Sequence, residues 1–88
     1  MTARQIRISN DLGLHLRAAG VLARVASEFT CEITLRRGSQ SANAKSIMSV
    51  LALAATTGTE LQLITEGHDA EKAAERIASL VESGFREP

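Results

Sequence analysis

The sequence predicts an α+β fold of order βαββαβα, with helices on one side of a mostly antiparallel sheet and water on the other. Three observations lead there. Four short stretches alternate apolar and polar residues, the period of a strand with one wet face. Three longer stretches repeat apolar residues every three to four positions, the period of a helix with one buried stripe. The chain has 88 residues, 44% of them apolar, enough for one packed core of two layers and no more.

RQIRIS (4–9) opens with Ile6 and Ile8 on one face and Gln5, Arg7 and Ser9 on the other, a first strand. NDLG (10–13) is turn chemistry. From 15 to about 28, Ala18, Val21, Leu22, Val25 and Phe29 fall at helical spacing, which leaves Arg17, Gly20, Arg24 and Glu28 outward. Glycine inside a helix costs about 1 kcal/mol relative to alanine, so Gly20 predicts the close approach of another segment. CEITLRR (31–37) points Cys31, Ile33 and Leu35 inward. Gly38-Ser39 turns the chain into a short polar strand, SQSAN (39–43), suited to a sheet edge. A second helix begins near Ser46 and is expected to bury Ile47, Val50, Leu51 and Ala54 before TTG (56–58) stops it. TELQLIT (59–65) then sets Leu61 and Leu63 inward. After the turn EGHD (66–69), Asp69 is a good N-cap for a last helix with Ala70, Ala73, Ala74, Ile77, Leu80 and Val81 inward. Gly84 followed by Phe85 reads as a left-handed C-cap with its hydrophobic contact. His68 reads as a turn residue.

Composition narrows the function classes. Two Phe, with neither Trp nor Tyr, give no stacking platform for nucleic acid. The lone Cys31 excludes an internal disulfide and a CxxC zinc site, reads as a small buried hydrophobe and fits a reducing, cytoplasmic setting. No cofactor or metal is expected from clustered ligands. No run is long enough to span a membrane, and nothing indicates an oligomer, so a monomer is expected. The formal net charge is zero, yet residues 1–50 carry +4 and residues 51–88 carry −4. That asymmetry reads either as an acidic solvent face on the last helix or as a basic half, with His15, that meets acidic partners.

Two helix starts carry chemistry. In GLHLRAAG (13–20) the first helix begins at or just after His15. The unpaired amides of its first turn, around Leu16 and Arg17, make an anion site beside an imidazole. The Arg17 guanidinium offers forked donors for phosphate oxygens. An imidazole nitrogen is nucleophilic near neutral pH and forms a reversible N–P bond. No serine, cysteine or carboxylate near it in sequence completes a hydrolytic triad, so the pattern suits carrying a phosphoryl group better than hydrolysing one. A loop histidine beside a surface arginine is the plain alternative. In AKSIMSVLALAA (44–55), Ser46 is on spacing alone an N-cap; phosphorylated, it would add charge to any docking surface. Lys45 beside it reads as a recognition element or a solvated charge.

GLHLRAAGVLARVASEF, AKSIMSVLALAA and GTELQLITEGHDAEKAAERIASLVESGF, in that order and spacing, resemble the histidine-containing phosphocarrier (HPr) family of the bacterial sugar phosphotransferase system, over about residues 4–86. The resemblance implies an open-faced β-sandwich: a four-stranded antiparallel sheet with three helices on one face. It implies a carrier rather than an enzyme. His15 would take a phosphoryl group on Nδ1 from phospho-enzyme I and pass it to a IIA protein or domain, with Arg17 stabilising the phosphate. Ser46 would be the target of an ATP-dependent serine kinase that slows the relay. Leu16, Gly20, Arg24, Lys45, Ile47 and Met48 would dock partners.

Two positions depart from the family pattern. Ala18 stands where proline is usual, so the first turn gains an amide donor and loses a preset φ. Ser49 stands where glycine is common and adds a hydroxyl to the second helix. These departures fit a second reading, a regulatory paralogue in carbon or nitrogen control whose binding depends on Ser46 phosphorylation. A ligand- or metal-binding module, the third class, lacks clustered ligands.

Overall fold

In the computed structural model, which describes residues 1–86, the elements are β1 (Thr2–Arg7), α1 (Leu16–Ala26), β2 (Glu32–Arg37), β3 (Gln40–Asn43), α2 (Ile47–Ala52), β4 (Glu60–Glu66) and α3 (Ala70–Glu82), followed by one 3-10 turn, Gly84–Arg86. The strands form one sheet in the order β1-β4-β2-β3, with every neighbouring pair antiparallel. The predicted α+β class and βαββαβα order hold. Strand β4 inserts between β1 and β2, and each helix crosses the same face.

Register explains the core. Ile6 lies opposite Leu61, and Leu63 and Ala42 lie opposite Leu35, so one face is a continuous apolar surface. Leu22 and Ala26 of α1 and Ile77, Ala78 and Val81 of α3 cover it, all buried. The opposite face carries Gln5, Gln62, Arg36 and Ser41 in one cross-strand row, and Gln5 donates to the Glu60 carboxylate at 3.0 Å.

Element ends moved where backbone partners, not periodicity, decide them. β1 starts at Thr2 and ends at Arg7; Ile8 stays buried because its N–H donates to Thr59 O (2.9 Å) and its carbonyl accepts from Gly58 (2.8 Å). α1 closes at Ala26 through two i→i−3 bonds, Glu28 to Val25 and Phe29 to Ala26, leaving Phe29 half-buried against the core. α2 has only six residues and buries only Val50 within it. The expectation that Ile47 and Ala54 are core is wrong: Ile47 is 39% exposed, and the chain turns left-handed at Ala54 (φ 51), which carries Leu53 and Ala55 inward instead. Gly20 also departs from expectation. Among the described residues a Cβ there meets nothing within 4 Å, so none of them packs closely on Gly20.

Asp69 precedes α3 but makes no side-chain cap. Its carboxylate instead accepts from the amides of Thr30 (3.0 Å) and Cys31 (2.9 Å), tying the start of α3 to the segment after α1. The Thr30 bond foremost holds the Asp69 carboxyl down to about 2. Burial, and then Asp69 itself, push the Cys31 thiol up, as expected of an inert buried side chain. Gly84 (φ 69) and buried Phe85 end α3 as predicted.

Candidate functional site

His15 is the N-cap of α1, with extended backbone (φ −76, ψ 176), and its carbonyl accepts the first helical bond, from Ala19 at 2.8 Å. The amides of Leu16, Arg17 and Ala18 therefore precede the first intrahelical bond at the positive end of the helix dipole. The His15 side chain itself makes no capping bond to them. Ala18 itself is fully buried, so its departure from proline sits at the root of the helix, not on its surface.

The loop before His15 is held from three directions. Asn10 spans its own turn, with its carbonyl accepting from Gly13 N–H (3.1 Å) and its side-chain amide donating to Gly13 O (2.8 Å). Leu14 N–H donates to Ala55 O at 2.9 Å, which fastens the loop to the segment after α2. Ser9 Oγ donates to Val81 O at 3.1 Å, which fastens it to the end of α3. Gly13 is required at its position: φ is +66, and a Cβ would lie 2.5 Å from Ala55 O. The NDLG turn was legible in sequence; its role as the mount for His15 was not.

His15 and Arg17 share the wall of an open cleft of about 710 Å³ with Asn10, Asp11, Leu12 and Glu82. Arg17 is exposed and His15 half-buried at its rim. Cationic Arg17 is thus mixed with two carboxylates. The seven basic residues of the first half do not form one face. Arg4, Arg7, Arg36 and Arg37 lie on strands, and Lys45 Nζ donates to Phe29 O at 2.7 Å, which holds its charge against the backbone rather than leaving it fully solvated. Arg17 and Arg24 remain as exposed cations on α1.

Ser46 is the N-cap of α2, as its spacing predicts, with Oγ accepting from Ser49 N–H at 3.3 Å. The position of departure, Ser49, thus takes part in the cap through its backbone. Around these two helix starts stand the large exposed apolar side chains Leu12 (71%), Leu16 (66%), Ile47 (39%) and Met48 (75%). Leu12 escaped the sequence reading, because a lone leucine in a turn carries no periodic signal. Among the described residues no three His, Cys, Asp or Glu side chains gather as metal ligands, and no helix is long and apolar enough to cross a membrane.

An open-faced α+β scaffold that offers an imidazole at a helix start, ringed by exposed apolar side chains, defines a small protein built to be touched by other proteins. Comparison with known proteins carries the identification further. The family model described as PTS HPr component phosphorylation site matches residues 2–83. Phosphocarrier protein NPr of Shewanella violacea is 44% identical over 84 residues, covering 96% of this chain and 92% of that protein. Phosphocarrier protein HPr of Treponema pallidum is 40% identical over 87 residues, covering 99% of each. The crystal structure of HPr-C-His from Thermoanaerobacter tengcongensis superposes with a TM-score of 0.96 at 36% identity, covering 100% of this chain and 99% of that one. The chain belongs to the HPr family. Members of that family are phosphoryl carriers rather than catalysts, and membership implies partners in the phosphotransferase system such as enzyme I and IIA proteins.

Proposed function

We propose that His15 is the phosphoryl carrier of this chain. Its imidazole nitrogen, Nδ1 by the family pattern, attacks the phosphorus of phospho-enzyme I. An N–P bond forms as the bond to the donor breaks, and the reverse exchange delivers the group to a IIA protein or domain. The observation that carries this reading is the position of His15 as N-cap of α1, ahead of three amides that precede the first helical bond. Those amides and the Arg17 guanidinium supply donors for the phosphate oxygens, and the helix dipole adds favourable charge. Leu16, Gly20 and Arg24 on α1, with Ile47 and Met48 on α2, form the docking face; Lys45 serves it by holding the start of α2 to Phe29 O. Ser46 is the regulatory position, where a kinase-added phosphate would put negative charge beside that face. The protein works as a monomer in the cytoplasm.

The test is phosphorylation by phosphoenolpyruvate and a bacterial enzyme I, followed by intact mass before and after brief acid treatment. An acid-labile gain of one phosphoryl group, absent in His15→Ala, is expected. A phosphate retained in His15→Ala would overturn the assignment. A regulatory paralogue, with binding that depends on Ser46 phosphorylation, is the second reading. Its support is the exposed apolar surface beside the Ser46 cap and the likeness to a phosphocarrier named NPr. A chain that binds its partner equally well as His15→Ala but loses binding as Ser46→Ala would favour it.

A further inference from the structure

The short helix α2 ends in a conformation that its own sequence does not favour. Ala54 adopts φ 51, a left-handed geometry in which a Cβ is unfavourable and which glycine usually supplies. Something outside the helix holds it. Arg37, the last residue of β2, directs Nη1 at two carbonyls at once: Leu53 O at 2.7 Å and Ala54 O at 2.9 Å. These carbonyls flank the Ala54 Cα, so fixing both on one cationic nitrogen fixes the two dihedrals between them. Bonds from a guanidinium are stronger than neutral ones. The next residue, Ala55, presents the carbonyl that accepts Leu14 N–H at 2.9 Å and against which Gly13 packs. Leu14 immediately precedes His15. One unbroken path of hydrogen bonds and single peptide units therefore runs from Arg37, through a strained alanine, to the N-cap of α1.

We infer that Arg37 is a positioning residue for His15: its clamp on the Ala54 turn sets the Ala55 carbonyl, and through it the loop that presents the imidazole. The role in phosphoryl transfer rests on the carrier reading; the clamp itself does not. Arg37 touches no phosphate and acts only through the backbone. Exposed Arg36, the preceding residue of β2, is the natural control: it lies opposite Ser41 and Gln62 on the sheet.

The experiment compares the parent chain with Arg37→Met, Arg37→Met/Ala54→Gly and Arg36→Met. Amide exchange of Leu14 is read against that of Leu63 in the sheet centre, alongside kcat and KM for phosphorylation by phospho-enzyme I. Arg37→Met should speed Leu14 exchange about tenfold relative to Leu63 and lower kcat about fivefold at unchanged KM. Glycine at 54, which needs no clamp to turn left-handed, should return both to within about twofold of the parent. Arg36→Met should change neither. Equal acceleration at Leu14 and Leu63 would make Arg37 a general stabiliser and overturn the inference, as would failure of Ala54→Gly to rescue or an unchanged kcat in Arg37→Met. A parent chain that takes no phosphate on His15, with Leu14 exchange still behaving as expected, would overturn the carrier reading alone.

Discussion

Replacing Gly13 by alanine tests how the His15 loop is mounted. At φ +66 a Cβ costs about 1 kcal/mol. The added carbon would also lie 2.5 Å from Ala55 O and 2.9 Å from Thr56 Cα, both backbone atoms that cannot rotate away. Relief requires the loop to lift, which breaks the Leu14 to Ala55 bond at a cost of about 1 kcal/mol, with overpacking strain of similar size on top. The total is about 3 kcal/mol, or about 15 °C in Tm for a domain of this size. Gly38→Ala isolates the clash: φ there is +58, but its Cβ would meet nothing within 4 Å, so only the dihedral cost of about 1 kcal/mol applies. Thermal and urea unfolding of both variants, with phosphorylation by phospho-enzyme I, read the difference. Equal destabilisation by the two substitutions would refute the claim that Ala55 O braces the loop.

Gly20→Ala should raise stability by about 1 kcal/mol in urea unfolding, since the site is helical and open; slower phosphorylation by enzyme I in the same variant would mark Gly20 as a docking position. Ser46→Ala should cost only about 0.5 kcal/mol, because the cap bond to Ser49 is long at 3.3 Å; a loss several times larger would mean the hydroxyl does more than cap. Asp69 should make stability acid-sensitive. Its folded pKa, about 2, lies below the ordinary 3.8, so its contribution is present at neutral pH and fades as pH falls through the folded value. The gap in urea midpoint between the parent and Asp69→Asn should therefore be widest at neutral pH and close between about pH 4 and about pH 2; a gap that stays constant down to pH 2 would contradict the Thr30 and Cys31 bonds.

The sequence by itself determined the element order, the inward faces of β1, β2 and β4, and the stripe of α3, because period-two and period-3.6 patterns are local consequences of burial on one side. It also marked His15 and Ser46, since both precede helices whose starts are written in neighbouring residues. It misjudged α2, where six residues are too few for a period to speak and a left-handed Ala54 breaks the phase. It misjudged Gly20, whose surroundings depend on whether a distant segment arrives, and among the described residues none comes within 4 Å of a Cβ there. It expected Asp69 to cap its own helix, yet the amides of Thr30 and Cys31, nearly forty positions away in the chain, take both carboxylate oxygens. Only the tertiary structure decided that Arg37 reaches the end of α2, that Lys45 is held by Phe29 O, and that Ala55 braces the His15 loop. Backbone carbonyls have no residue-specific signature, so bonds to them between distant segments are invisible until the chain has folded.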